Sequence, residues 1–452
     1  MFMLSLYIHI PFCHHKCGYC SFNVIPLHSL NNEQEPANLI THYLEALHRQ
    51  IDDMKDKLWD QEIRTLYFGG GTPSTIGSEE MAKIIDHIAS VRNLEYLEEL
   101  SIEINPEPVD QMIDMISLIS NRYKHFPRVR FSIGIQSFDN EVLEESGRQY
   151  NFQSCVDFLR KLTHIKMEHN VFNFDFIAFG KFNQTRKGDL QLRDSARLDF
   201  FQRFVESWFA DSFSLYTLEL FEWSEWFNQQ IAKHNHEKAG YGLKKYGSDD
   251  DVYAEFELLK WILLDVGYQR YEISNYSKAG SNSIHNRIYR AMDERLGLGT
   301  WATSHLKTAN LSKIIPVQSH TISWHISIVP DLKRFVAGTW IDDKKIELLT
   351  ETDYLKEKFL MGMRTMDGVI LDEEKKREQM NTYLLQCSRV QISHAQSQST
   401  STSKITDILV PNREEKVIQF EEQELCEYDG IRLRLTDQWM DLYNSIIVEL
   451  MV

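Results

Sequence analysis

Apolar residues in the first half of the chain recur in two rhythms, short β-rich runs and longer stretches spaced by three and four residues. Leu4-Ser-Leu-Tyr-Ile-His-Ile10 predicts a first strand, and a cysteine-rich loop follows it. Ile40, Tyr43, Leu44, Leu47, Ile51 and Met54 then share one helical face. Thr65–Phe68 predicts a second strand running into Gly69-Gly-Gly-Thr-Pro73, before a helix with Met81, Ile84, Ile85 and Ile88 on one side. Strands are expected at Leu100–Ile104, Val129–Ile135, Phe172–Phe179 and Ser212–Leu218, with helices at Val109–Ile119, Asn151–Leu162 and Ser195–Trp208 between them.

Six strands separated by helices predict a parallel sheet with right-handed crossovers. A partial (β/α)6 barrel of the TIM type and a doubly wound sheet both satisfy this order. Polar and glycine residues close successive strands, and α/β barrels build their sites at that end, so the expected class is α/β with a partial barrel. Beyond Leu220 the regularity stops: Trp223 to Asp251 is polar and irregular. A helix carrying Tyr253, Phe256, Leu259 and Ile262 then leads to a strand at Tyr268–Ile273. Residues 1–220 are expected to form the partial barrel, 221–345 to complete it, and 346–452 to form a small C-terminal α+β domain, winged-helix-like. Within the last, Gln391–Lys404, rich in Ser, Thr and Gln, reads as an exposed loop.

Composition narrows the classes. Lys and Arg number 49 against 66 Asp and Glu, a formal charge of −17, which argues against general nucleic-acid binding. Hydrophobic residues make up 42%, enough for a large core in 452 residues. No apolar run approaches the roughly 20 residues of a membrane span, and the N-terminus lacks the pattern of a signal peptide. A soluble, cytoplasmic protein is expected.

Six cysteines are too few for a disulfide scaffold, but Cys13, Cys17 and Cys20 fall within eight positions. Cys155, Cys387 and Cys426 are scattered; Cys155 sits in a helix-like run and reads as core. Thiolates spaced Cys-x3-Cys-x2-Cys can converge on one metal centre. Structural zinc wants four closed ligands, whereas three cysteines on an iron–sulfur cube leave one iron open for chemistry. Spacing favours the cluster, with zinc as the alternative.

Cys-x3-Cys-x2-Cys after a first strand resembles the motif of the radical S-adenosylmethionine (SAM) superfamily, with Tyr19 at the aromatic position before the last cysteine. That resemblance implies a [4Fe-4S] cluster on Cys13, Cys17 and Cys20, with SAM bound through its amino and carboxylate groups to the open iron. It places Gly70, Gly71 and Thr72 in the glycine-rich segment that holds the methionine part of SAM. Glu103, Gln136, Arg148 and Asp175 close or follow later strands; singly each is a cap or an ion pair. Recurring together they suit SAM, carboxylates for its hydroxyls and an Arg for its acid group. Tyr7 and Tyr19 join this cofactor set.

Leu6-Tyr-Ile-His-Ile-Pro-Phe-Cys13, GGGTPS, Ser101-Ile-Glu-Ile-Asn-Pro106, Phe131-Ser-Ile-Gly-Ile-Gln-Ser-Phe138 and Tyr271-Glu-Ile-Ser-Asn-Tyr276 resemble the oxygen-independent coproporphyrinogen oxidase group. Likeness to its haem chaperone branch is closer. Ser21-Phe22-Asn23 follows Cys20 where the oxidase has a further cysteine, and Cys13 comes too early for the oxidase's N-terminal extension. His285-Asn-Arg-Ile-Tyr289 resembles the branch's HNxxYW segment, which implies haem binding with His285 as axial ligand; a structural histidine is the alternative. The expected function is therefore a haem chaperone that passes haem to an acceptor protein and draws on an electron donor. The alternative is oxidative decarboxylation of coproporphyrinogen III through a 5′-deoxyadenosyl radical. A homodimer is compatible with either. Three departures from the pattern are expected at the edge of the cofactor pocket: Arg290 for the segment's Trp, Ala178-Phe-Gly-Lys-Phe-Asn183 for a Gly-Leu-Pro-Gly-Gln turn, and Gly299-Thr-Trp-Ala-Thr-Ser304, with the bulky Trp301, for a small-residue run.

Overall fold

Side chains along a strand point alternately to its two faces. In Ser101-Ile-Glu-Ile104, Arg130-Phe-Ser-Ile133 and Phe172-Asn-Phe-Asp-Phe176 apolar and polar residues take turns, so each strand has one greasy face and one polar face. A computed structural model describes residues 3–30, 34–58, 61–181, 195–234, 246–314, 323–370, 426–428, 432–436 and 440. In it the apolar set, Ile102, Ile104, Phe131, Ile133, Phe172 and Phe174 among them, is buried in one core with Ile84, Ile85, Met112 and Ile116 of the helices. The polar set is left to face the inside of the sheet.

Strands β1 (Met3–Ile10), β2 (Glu62–Gly70), β3 (Glu99–Ile104), β4 (Val129–Gln136), β5 (Asn170–Ala178) and β6 (Ser212–Thr217) pair in sequence order, all parallel. Helices α1 (Gln34–Leu58), α2 (Ser78–Val91), α3 (Val109–Arg122), α4 (Phe152–Thr163) and α5 (Ser195–Glu206) alternate with them. These are the elements the periodicity predicts. Phe rings dock α5: Phe174 meets Phe204 edge-on at 4.9 Å and Phe176 meets Phe201 at 5.0 Å. Each such pair is worth about 0.5–1.5 kcal/mol beyond simple burial.

The second half of the chain extends the same sheet. After α6 (Asp249–Asp265), started by a Ser248–Asp251 capping box, strands β7 (Gln269–Glu272) and β8 (Asn275–Ser277) form a hairpin that joins β6 antiparallel. Helix α7 (Ile284–Arg290) leads to β9 (Arg295–Leu298), which pairs parallel with β1. β10 (Thr303–Lys307), β11 (Ser323–Ile328) and β12 (Ile341–Leu349) continue antiparallel. The order is β12-β11-β10-β9-β1-β2-β3-β4-β5-β6-β8-β7, a mixed sheet with both edges open among the described residues, hence a partial barrel. β9 is invisible to periodicity because four residues make no window; its partner β1 defines it.

Val369–Ile370, Cys426–Tyr428 and Arg432–Leu435 form a separate three-stranded antiparallel sheet. Most of the predicted C-terminal domain, with Cys387 and the Gln391–Lys404 loop, lies outside the described residues. No helix among those described is long and apolar enough to cross a membrane.

Candidate functional site

The loop after β1 carries Cys13, Cys17 and Cys20, all free thiols. It is clamped from two sides: Gly18 N–H donates to the Ser146 carbonyl at 3.1 Å, and Trp226 N–H donates to the Gly18 carbonyl at 2.9 Å. The buried Trp226 indole lies so close that a Cβ on Gly18 would come within 2.1 Å of its Nε1, so only glycine fits. Inside the loop, Cys20 N–H donates to the Cys17 carbonyl at 3.0 Å. Burial pushes the Cys13 thiol up to about 12 and raises Cys20 too.

The end of β2 is laced to this loop. Gly71 N–H donates to Ile10 O and Thr72 N–H to Phe12 O, both at 2.8 Å. A Cβ on Gly71 would stand 2.6 Å from the Phe12 carbonyl oxygen, so the glycine run seats the cysteine loop as well as bordering the space beyond it. From there a polar chain crosses the strand ends. Thr72 Oγ1 lies 3.3 Å from Cys13 Sγ and accepts from Asn105 Nδ2 at 3.3 Å. Arg148 donates to Asn105 Oδ1 at 2.9 Å and to the Tyr19 hydroxyl at 2.7 Å.

Two carboxylates complete the wall. Glu103 on β3 accepts from Tyr67 Oη at 2.7 Å and from Gly70 N–H at 3.2 Å, and burial pushes its pKa up to about 7. Asp175 on β5 accepts from Ser132 Oγ at 3.1 Å and Asn173 Nδ2 at 2.7 Å, and burial raises its pKa as well. Gln136 ends β4 with φ 63°, a left-handed conformation unusual for a side-chain-bearing residue. It falls where the pairing of β4 with β5 shifts register, and strain of this kind gathers at ligand sites.

All these groups line one cavity of about 710 Å³: Cys13, Cys17, Cys20, Tyr19, Gly70, Gly71, Thr72, Glu103, Gln136, Arg148 and Asp175. Lys16, Arg130, Arg148, Arg290 and Arg364 line it against Glu103, Asp175, Glu219 and Glu272, five cations to four acids in a chain whose net charge is −17. The cavity thus suits a zwitterionic or anionic ligand better than the rest of the molecule does.

Two expected residues are not brought to it. Tyr7 stands one step behind, stacked on Tyr67 with ring centroids 5.9 Å apart. His285 is buried at the other end of the strands, with Nδ1 2.8 Å from Thr65 Oγ1 and its ring 4.8 Å from that of Tyr67. Burial, with Arg295 nearby, pushes its pKa down to about 3. This imidazole is closed in and does not line the cavity, whereas its helix neighbours Asn286, Tyr289 and Arg290 do.

The departures from pattern also sort themselves. Arg290 reaches the cavity and pairs at 3.3 Å with the buried Glu272, an account no sequence window supplies. Trp301 packs edge-on to His9 at 6.3 Å, and Phe179 joins a small core with Val142 and Trp226. Neither is among the cavity-lining residues. Asn105 and Ser132 went unrecognised; Asn105, two positions after Glu103 on the same face, was the readable signal.

Residues 7–184 match the family model described as the Radical SAM superfamily, the class that this sheet and cysteine loop define. The "Heme chaperone HemW" of Haemophilus influenzae is 31% identical over 310 residues, 67% of this chain and 70% of that protein. The "Heme chaperone HemW" of Lactococcus lactis is 24% identical over 442 residues, covering 98% and 96%. In fold, the chain is similar to the Escherichia coli coproporphyrinogen III oxidase HemN, with TM-score 0.66 and 17% identity over 99% of this chain and 89% of that one. The chain belongs to the HemW family of the radical SAM superfamily.

That family implies an iron–sulfur cluster and SAM, and the donor chemistry here fits both. The three half-buried thiols line one cavity beside Arg148 and Lys16; among the described residues no three donors are already drawn together around a metal position, and a bound metal centre is what turns such thiols into thiolates. Across the cavity stand an arginine and two carboxylates.

Proposed function

We propose that the chain is a haem chaperone: Cys13, Cys17 and Cys20 hold a [4Fe-4S] cluster, SAM sits on its open iron, and haem is held for transfer to an acceptor protein. The observation that carries this reading is the convergence of the three thiols, the glycine run, Glu103, Gln136, Arg148 and Asp175 on one cavity. The bound cluster would supply an electron to the SAM sulfonium; the protein's own groups bind and orient. Arg148, fixed by Tyr19 and Asn105, addresses a carboxylate, while Glu103 and Asp175 accept from hydroxyls. Tyr67 and Gly70 hold the Glu103 carboxylate in place before any ligand arrives. Residues 1–220 would house this site, 221–345 complete the sheet around it, and 346–452 form a small domain. A cytoplasmic setting, an electron donor for the cluster and a homodimer belong to the same reading.

The test is anaerobic reconstitution followed by haem titration with and without SAM, beside a coproporphyrinogen turnover control. Stoichiometric haem binding without turnover is expected. Turnover would replace the chaperone with the decarboxylating enzyme.

A further inference from the structure

Three aromatic rings stand at the mouth of the cavity. Phe22 is 66% exposed and Trp223 61%, unusual for side chains of this size. Phe221 and Trp223 stack nearly parallel, with centroids 5.4 Å apart and planes 17° from coincident. Trp223 Nε1 donates to the Ser21 carbonyl at 2.8 Å, which fixes the pair beside Phe22. Phe22 and Phe221 themselves line the cavity, next to Cys20 and Ser21. Stacking spends one face of Phe221 and of Trp223 on each other, so the exposed apolar ledge beside the polar chamber is Phe22 and Trp223, with Phe221 backing the tryptophan.

Exposed aromatic surface of this kind marks a binding face, and its shape says what fits. A flat polyaromatic body can lie on an exposed ring face, whereas its ionised edge needs cations close by. Lys16 is exposed and lines the same cavity as Phe22 and Phe221. The chain as a whole, at −17, repels anions. We propose that Phe22 and Trp223, the latter backed by Phe221, form the platform for the face of a tetrapyrrole, its carboxylate edge turned to Lys16, while SAM occupies the chamber behind. This rests on the chaperone reading above and names where its cargo lies.

The experiment is an absorbance titration of haem into the reconstituted full-length protein, comparing wild type with the double variant Phe22→Ala/Trp223→Ala and with Trp223→Phe. Losing two stacking rings should raise the haem Kd about tenfold or more, with iron content, cluster absorbance and SAM affinity unchanged. Trp223→Phe, which keeps a flat ring and loses only the N–H, should retain most of the binding. A double variant that binds haem like wild type overturns the ledge. So does one that keeps haem affinity but loses transfer or self-association, because the rings would then dock a protein. Loss of iron in the double variant overturns it too, since the rings would merely support the loop. If wild type takes up no haem, the chaperone reading itself fails.

Discussion

Glu99 and Glu103 stand four residues apart on β3 and face the same side, yet the protein uses them in opposite ways. Glu99 is fully buried and surrounded: it accepts from Ser101 Oγ at 2.9 Å, from the Ser283 hydroxyl at 3.3 Å, from the amides of Ile284 and His285 at 3.1 and 3.2 Å, and faces Arg128 at 3.4 Å. It is an anion set at the start of α7, where helix amides need an acceptor. Glu103 has two donors, Tyr67 and Gly70, and its remaining capacity opens on the cavity. A buried carboxylate left partly unmet is costly unless a ligand completes it. One end of the sheet is closed by such satisfied groups, and His285 belongs to that end; the other is kept open for binding.

The strongest way to break this contrast acts on the open end. Cys13→Ser should abolish the brown cluster absorbance and SAM binding together while circular dichroism stays native. At the closed end the damage should be to the fold: Glu99→Ala leaves the buried α7 amides and the Ser283 hydroxyl without their acceptor and Arg128 without its counter-charge, and should cost about 3 kcal/mol in a denaturant titration. Gly18→Ala forces a methyl into the Trp226 indole, and overpacking of that kind costs about 1–3 kcal/mol, read as a lower Tm and less iron per chain.

Glu103→Gln keeps one acceptor oxygen where Tyr67 and Gly70 use two, so it should cost stability about 1 kcal/mol and weaken SAM about tenfold through the lost charge-assisted bonds. The pH response follows. Folded Glu103 keeps its proton to about pH 7, whereas the unfolded value is 4.5. Between those values the folded state binds more protons, so this group makes stability fall as pH rises from about 4.5 to about 7. SAM affinity should rise through the same upper value as the carboxylate ionises, and the rise should flatten in Glu103→Gln. The smallest functional effect is expected from His285→Ala: haem stoichiometry unchanged, with a stability loss of about 1–3 kcal/mol from unpairing the buried Thr65 hydroxyl.

The strands and helices up to β6 were legible because apolar spacing is a local property: Ile40 to Met54 or Met81 to Ile88 define a face without reference to anything distant. So was the cysteine triplet, whose ligand geometry lies within one loop, and so were Glu103, Arg148 and Asp175 as polar residues near strand ends. The functions of the other polar positions depended on partners far away in sequence. Glu99 is structural because Ser283 and His285 reach it from nearly two hundred residues further on. Arg290 is tolerable in the cavity wall because Glu272 pairs with it, and β9 is a strand because β1 lies alongside. Which way His285 points is decided by the Thr65 hydroxyl, not by its own segment. Sequence alone determined the class of fold and the chemistry available at its centre, since periodicity and ligand spacing act over a few residues. Only the tertiary structure decided which buried polar groups are satisfied and which are left waiting for a ligand, because hydrogen bonds are completed by whichever atoms the fold brings within 3 Å or so.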